Sequence, residues 1–179
     1  MNILAIGAHP DDIEFGCGGT LSKYSEKGHK VYMLVLSKGD KGGDSDVRQK
    51  EQENSARILR AETLYFGDYK DTEIVQSQKL ITEIEGFLKD IKPGFIFVHY
   101  YDDTHQDHRN LSDSTISATR YIHNVLFYEG PTTQNFTANV FVDITSALDK
   151  KLECLEAHSS QVSKTNIEGL SIIEAAKST

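Results

Sequence analysis

His9-Pro10-Asp11-Asp12 places an imidazole and two adjacent carboxylates directly behind the apolar run Ile3 to Ile6. Such a run reads as a buried parallel strand, and the polar cluster falls where the chain leaves the sheet for a helix. Side chains at that edge of an open α/β sheet face a crevice in which ligands are held. Imidazole and carboxylate are also what catalytic zinc takes, three protein ligands leaving a fourth position for water. His9 and Asp12 can supply two of them. A third stands in Tyr100 to Asn110, which includes His105-Gln106-Asp107-His108 and follows a second apolar run, Phe95 to Val98. Two such loops at one sheet edge would bring His9, Asp12 and either His105 or His108 within reach of one ion. Two histidines and a carboxylate are equally the facial triad of non-haem iron(II) oxygenases, so ligand type alone leaves zinc or iron(II) open.

The elements that must position these residues alternate strand and helix, the pattern of a mostly parallel sheet flanked by helices. A helix through Leu21 to Lys27 ends at Gly28, Val31 to Leu36 forms a second strand, and Ser37 to Asp46 is a glycine-rich loop. Val47 to Arg60 is helical, Thr63 to Phe66 a short strand, and Gln78 to Lys89 a helix that Pro93-Gly94 turns into the second motif's strand. Leu111, Thr115, Ala118, Ile122 and Val125 recur at spacings of three and four, marking one face of the next helix. Val140 to Val142 reads as a last strand, and Ala147 to His158 and Ile167 to Lys177 as two final helices. Gly16-Cys17-Gly18-Gly19 also opens a helix after a first strand, yet Leu21 stands where the dinucleotide fingerprint needs its third glycine. Close helix-to-strand packing is the better reading, with Cys17 a small core residue.

Composition bounds the rest. A chain of 179 residues with 38% hydrophobic content supports one core, hence a single domain over 1–179. Cys17 and Cys154 make no disulfide framework and suit a reducing cytoplasm. The N-terminal apolar run is too short for a signal peptide, and no stretch reaches the length of a membrane span, so no membrane partner is expected. A net charge of -8 argues against a nucleic-acid surface.

Three segments carry a family resemblance: Ala8 to Leu21 (A-H-P-D-D-I-E-F-G-C-G-G-T-L), His105 to His108 (H-Q-D-H) and His158 to Gln161 (H-S-S-Q). Together they resemble the PIG-L/LmbE-like zinc-dependent N-acetylglucosaminyl deacetylases, a family with a Rossmann-like three-layer α/β/α fold. The resemblance implies that His9, Asp12 and His108 bind Zn(2+), with Fe(2+) as the alternative, and that Asp11 is the general base. It also implies that His105 stabilises or protonates groups in the tetrahedral intermediate while Asp107 orients its ring. Elementary chemistry agrees: a metal-bound water titrates near neutrality, a non-ligating carboxylate beside it can take the proton, and the departing amine needs a proton donor. Arg48, three residues before Glu51, matches a family arginine that contacts substrate, although an exposed helix pair has the same spacing. Asp71 aligns with a further family loop. The implied activity is removal of acetyl from an N-acetylglucosamine-type conjugate, and the implied assembly is a homo-oligomer. A different N-acyl amide, an iron oxygenase or a non-catalytic sugar-binding module are the alternatives.

The chain departs from the family at Gln106, where proline is usual, and at Asp103, where some relatives carry a mobile tyrosine. It also stops at Thr179, short of the segment with which relatives help close the pocket. Asp11, Asp12 and Asp107 could each cap a helix without other work. His158 would then lie at a helix end outside the chemistry, His29, His99 and His123 on the surface or in packing, and Tyr100 and Tyr101 along the pocket wall.

Overall fold

Five parallel strands in the order β3-β2-β1-β4-β5 form the centre of the computed structural model, which describes all residues except Ser163, Thr165, Glu168 and Thr179. In chain order the elements are β1 (Asn2–Gly7), α1 (Asp12–Glu26), β2 (Lys30–Ser37), α2 (Ser45–Leu59), β3 (Thr63–Tyr69), α3 (Gln78–Ile91) and β4 (Phe95–His99). They continue with α4 (Gln106–Ala118), β5 (Val125–Tyr128), a 3-10 turn (Thr145–Ala147), α5 (Leu148–Glu156) and α6 (Ser159–Val162). A two-stranded antiparallel ribbon, β6 (Asn166–Ile167) and β7 (Leu170–Ser171), precedes α7 (Ile172–Ser178).

Successive side chains of a strand point to opposite faces, and here both faces are covered. From β1, Ile3 and Ala5 join Val31, Met33 and Val35 of β2 against Ile13, Cys17 and Leu21 of α1, Ala56 and Leu59 of α2 and Cys154 of α5. Leu4 and Ile6, with Leu34, Leu36, Ile96 and Val98, meet Leu80, Ile84 and Leu88 of α3 and Leu111 and Ala118 of α4. The result is the three-layer α/β/α architecture expected from the strand-helix alternation. Among the described residues no helix is long and apolar enough to cross a membrane.

Chain order reverses at β1, which pairs with β2 on one side and β4 on the other. Connections leaving the carboxyl ends of β1 and β4 therefore diverge to opposite faces and open a crevice between them. That crevice receives His9 from behind β1 and His105 and His108 from behind β4.

Three expectations need correction. The helix beginning at Gln106 ends at Ala118, and Val125 starts β5 instead of continuing its face. Thr119 closes it by turning its hydroxyl back to the Thr115 carbonyl, 2.7 Å away. Val125 to Tyr128 pairs residue for residue with Ile96 to His99, a tertiary contact that a four-residue run cannot announce by periodicity. Val140 to Val142 alternates like a strand but pairs with no other strand among the described residues, and all three side chains are exposed. The final segment is the ribbon followed by α7, not one helix from Ile167; Gly169, with φ +90, supplies the left-handed conformation its turn needs.

Candidate metal and catalytic site

Asp12 stands at the first position of α1 and turns its carboxylate back over the end of β1, where Oδ2 accepts the His9 backbone N–H at 2.8 Å. His9 Nδ1 lies 3.5 Å from that same oxygen, and His108 Nε2 lies 3.5 Å from Asp12 Oδ1. These separations are long for hydrogen bonds. Each runs to a different oxygen of Asp12, so the carboxylate stands between the two rings with one oxygen toward each. His108 Nε2 is buried without a hydrogen-bond partner, while His108 Nδ1 lies 3.2 Å from Asp103 Oδ2. A carboxylate on the far nitrogen fixes the tautomer and leaves the near nitrogen's lone pair for a cation. Imidazoles and carboxylates gathered around an unpartnered buried nitrogen are the donor chemistry that suits a zinc-type ion.

Charge within the cluster is shared. Burial opposes protonation of His108, but Asp12 and Asp103 outweigh it and push its pKa up to about 9. Burial likewise opposes ionisation of Asp12, yet the charge of His108 holds it well below the usual carboxylate range. His99, read from sequence as a surface or packing residue, is part of this cluster. Its ring stacks on His108 at 3.9 Å between centroids, and its Nε2 lies 3.1 Å from Asp12 Oδ2. Burial and the His108 charge lower its pKa to about 4, which makes it a neutral neighbour.

Asp107 has a different partner from the expected one. Its carboxylate is fully buried, lies 3.0 Å from His9 Nε2 and accepts backbone N–H groups from Thr72 at 2.7 Å and Ile74 at 3.3 Å. Asp71 approaches the same His9 nitrogen at 3.1 Å. His105 instead caps α4, its Nδ1 accepting the Asp107 backbone N–H at 3.2 Å. The reason is helical direction: Asp107 projects inward from the first turn, whereas the cap residue lies outside it. Asp107 therefore orients His9, and its carboxylate is not what holds the His105 ring. Burial, then the charges of His108 and His9, keep the His105 pKa below its ordinary value. Its ring remains beside the cluster, 4.7 Å from that of His9 and 4.6 Å from that of His108.

Among the described residues, three donor groups have atoms within 4.8 Å of one another: His9 with His105 and His108, Asp12 with His99 and His108, and His9 with Asp71 and Asp107. Except for the fully buried Asp107, their residues line a cavity of about 370 Å³, within the size range of small-molecule sites. Asp11 faces the same cavity from outside these groups. It caps α1 in the left-handed conformation, φ 90, and its carboxyl is pushed up to about 6 by burial and by the neighbouring Asp12 charge.

Arg48 also lines the cavity, but its guanidinium is committed to the chain. Nη1 donates to the Gly39 carbonyl at 2.8 Å, and Nη2 to the Pro10 carbonyl at 2.8 Å and Asp11 Oδ2 at 3.3 Å. Tyr100 and Tyr101 are not among its lining residues; Thr132, Gln161 and Ile172 are. His158 stands at the end of α5, as expected, and is buried there with its Nε2 3.6 Å from Glu14 Oε1 behind the site. Reading the sequence missed Asp103, His99 and Glu14. For Asp103 a signal existed, since an acidic residue shortly before a candidate ligand histidine can reach its second ring nitrogen.

Comparison with known proteins gives one family. The family model described as PIG-L, GlcNAc-PI de-N-acetylase, matches residues 4–119. The uncharacterized deacetylase YaiS of Escherichia coli (strain K12) is 33% identical over 167 residues, covering 88% of this chain and 90% of that protein. The solved N,N'-diacetylchitobiose deacetylase from Pyrococcus horikoshii, complexed with an inhibitor, superimposes with a TM-score of 0.81 at 27% identity, covering 89% of this chain and 70% of that one. The 4-oxalmesaconate hydratase of Pseudomonas putida is 21% identical, covering 88% of this chain and 73% of that protein, so similarity at this level extends to a protein named for another reaction.

Proposed function

The chain belongs to the PIG-L family, and from that premise we propose that it is a metal-dependent hydrolase that removes the N-acetyl group from an N-acetylglucosamine-type amino sugar. One observation carries this reading. Asp11 is a half-buried carboxylate outside the donor groups, opens on the cavity and has its carboxyl pushed up to about 6. A sugar-binding module has no use for such a group, whereas a hydrolase needs a base beside its metal. Zinc suits two imidazoles and one carboxylate, with iron(II) as the alternative.

A cation held by His9, Asp12 and His108 would polarise the acetyl carbonyl and acidify water. The chain's own groups do the rest. Asp11, ionised above about pH 6, accepts the water's proton. His105 stands beside the cluster in a half-buried position, and its Nε2–H can donate a hydrogen bond to the developing oxyanion, while Asp11 passes the proton it took from water to the departing amine. Asp107 and Asp103 keep the His9 and His108 rings turned toward Asp12.

The substrate is a small amino-sugar conjugate, the two free thiols suit the cytoplasm, and the working form is a homo-oligomer that uses the exposed Val140-Phe141-Val142 run. The reading is tested by incubating zinc-loaded protein with N,N'-diacetylchitobiose and other N-acetylglucosamine conjugates and measuring free amine. Release that vanishes in Asp11→Ala and His108→Ala supports it. An Asp11→Ala variant with metal bound and full turnover would exclude Asp11 as the base.

A further inference from the structure

We propose that Gln52 is a positioning residue for the base: with Arg48 it grips both ends of the Pro10–Asp11 peptide and so fixes the direction of the Asp11 carboxylate. The inference rests on reading Asp11 as the base. Gln52 and Arg48 lie four residues apart, on one face of α2. Arg48 Nη2 donates to the Pro10 carbonyl at 2.8 Å, and Gln52 Oε1 accepts the Asp11 N–H at 3.2 Å. Carbonyl and N–H belong to the same peptide unit, which is therefore held from both sides by a single helix.

That peptide leads into an unusual conformation. Asp11 has φ 90, where a residue with a side chain is seldom found and persists only when its surroundings impose it. Rotation of the Pro10–Asp11 peptide plane is the obvious route back to an ordinary φ. It would turn the Asp11 N–H away from Gln52 and swing the carboxylate off its aim.

The orientation of the Gln52 amide is itself determined. The Asp11 N–H can only donate, so the atom facing it must be oxygen. Gln52 Nε2 then faces Glu14 Oε1 at 2.6 Å, an oxygen that also accepts Ser55 Oγ at 2.6 Å and has His158 Nε2 3.6 Å away. Glu14 sits on α1, three residues beyond Asp11, so the clamp is tied to the helix that Asp11 begins. Gln52, Ser55 and Glu14 are all fully buried, and an amide rotated the wrong way would set donor against donor at one end and acceptor against acceptor at the other.

The experiment compares Gln52→Met with Asp11→Asn and with Leu59→Ala, which loosens the same helix from the core without touching the peptide. With N,N'-diacetylchitobiose as probe, Gln52→Met is expected to lower kcat about 100-fold, the scale of a misplaced catalytic group. KM and bound zinc should hold, and Leu59→Ala should keep kcat. A crystal structure of metal-free Gln52→Met should show Asp11 out of the left-handed region. Gln52→Asn keeps a buried amide with a shorter reach and covers a Gln52→Met that does not fold; it should lose kcat in the same sense. The clamp is overturned if Asp11→Asn abolishes turnover while the Gln52 variants retain it. It is equally overturned if they lose kcat only together with zinc while Asp11 stays at its present φ. Full turnover by Asp11→Asn is a separate failure, that of the base assignment, and leaves the clamp nothing to aim.

Discussion

Asp103 shows how much a single carboxylate behind a ligand can matter. It is 3% exposed, faces His108 Nδ1, and also accepts the Thr133 hydroxyl at 3.1 Å and the His105 backbone N–H at 2.8 Å. Burial opposes its ionisation, but the bonds from His108, Thr132 and the His105 backbone hold its carboxyl far below the usual range. Asp103→Asn keeps the shape and removes the charge that fixes the His108 tautomer. Zinc affinity should fall about 10- to 100-fold, as for outer partners of metal-ligating histidines, and competition with a chromogenic chelator measures it. Asp11 makes a prediction in pH. Its folded pKa is raised to about 6, and only the ionised form can accept a proton, so turnover is lost as pH falls through that value. A bound cation favours the carboxylate and can only move the acid limb lower. The kcat profile should therefore show an acid limb at or below about 6; a limb centred above pH 7 would assign the base to another group.

At the scale of elements, the site depends on how closely α1 approaches the sheet. Gly16 lies against the Tyr128 ring so tightly that a Cβ there would overlap it, and Tyr128 is anchored by its hydroxyl on the Ile6 carbonyl, 2.9 Å away. Gly16→Ala must push α1 outward or dislodge the tyrosine, at a cost of about 1–3 kcal/mol typical of overpacking, read as a lower urea midpoint. Since Asp12 starts the same helix, zinc affinity should fall as well. The close packing expected of Gly16-Cys17-Gly18-Gly19 is thus present, with Tyr128 of β5 and Ile144 as the surfaces approached. What was legible in the sequence had local causes: apolar runs that end in chemistry, helix periodicity, and glycine where helix and sheet touch. His9, Asp12 and His108 line one cavity, with an Asp12 oxygen 3.5 Å from each histidine. The partners were less legible because they depend on where distant elements land. Asp107 meets His9 across 98 residues of chain, and His158 meets Glu14 only because α5 and α6 pack behind α1 and α2. The β5 strand was hidden inside a helical spacing for the same reason, since its pairing with β4 is a tertiary event.

For the molecule as a whole, a net charge of -8 makes copies repel one another, so any self-association must draw on apolar contact. The surface offers one such run. Val140, Phe141 and Val142 are 56%, 83% and 39% exposed in succession, on a segment without regular secondary structure between β5 and the 3-10 turn. Among the described residues, the backbone of 136–142 makes no hydrogen bond. Unpaired backbone carrying β-branched and aromatic side chains is a template for another strand. The same segment of a second copy, run antiparallel, would satisfy both backbones and bury both Phe141 rings. This is the contact we predict for the homo-oligomer proposed above. Multi-angle light scattering should find the chain associated at micromolar concentration, and Phe141→Asp should reduce the mass toward that of one chain while leaving the circular dichroism spectrum unchanged. Added salt, which screens charge but does not weaken apolar burial, should leave the wild-type mass in place. A wild-type chain that is monomeric under these conditions, or a Phe141→Asp variant of unaltered mass, would remove this segment from the assembly.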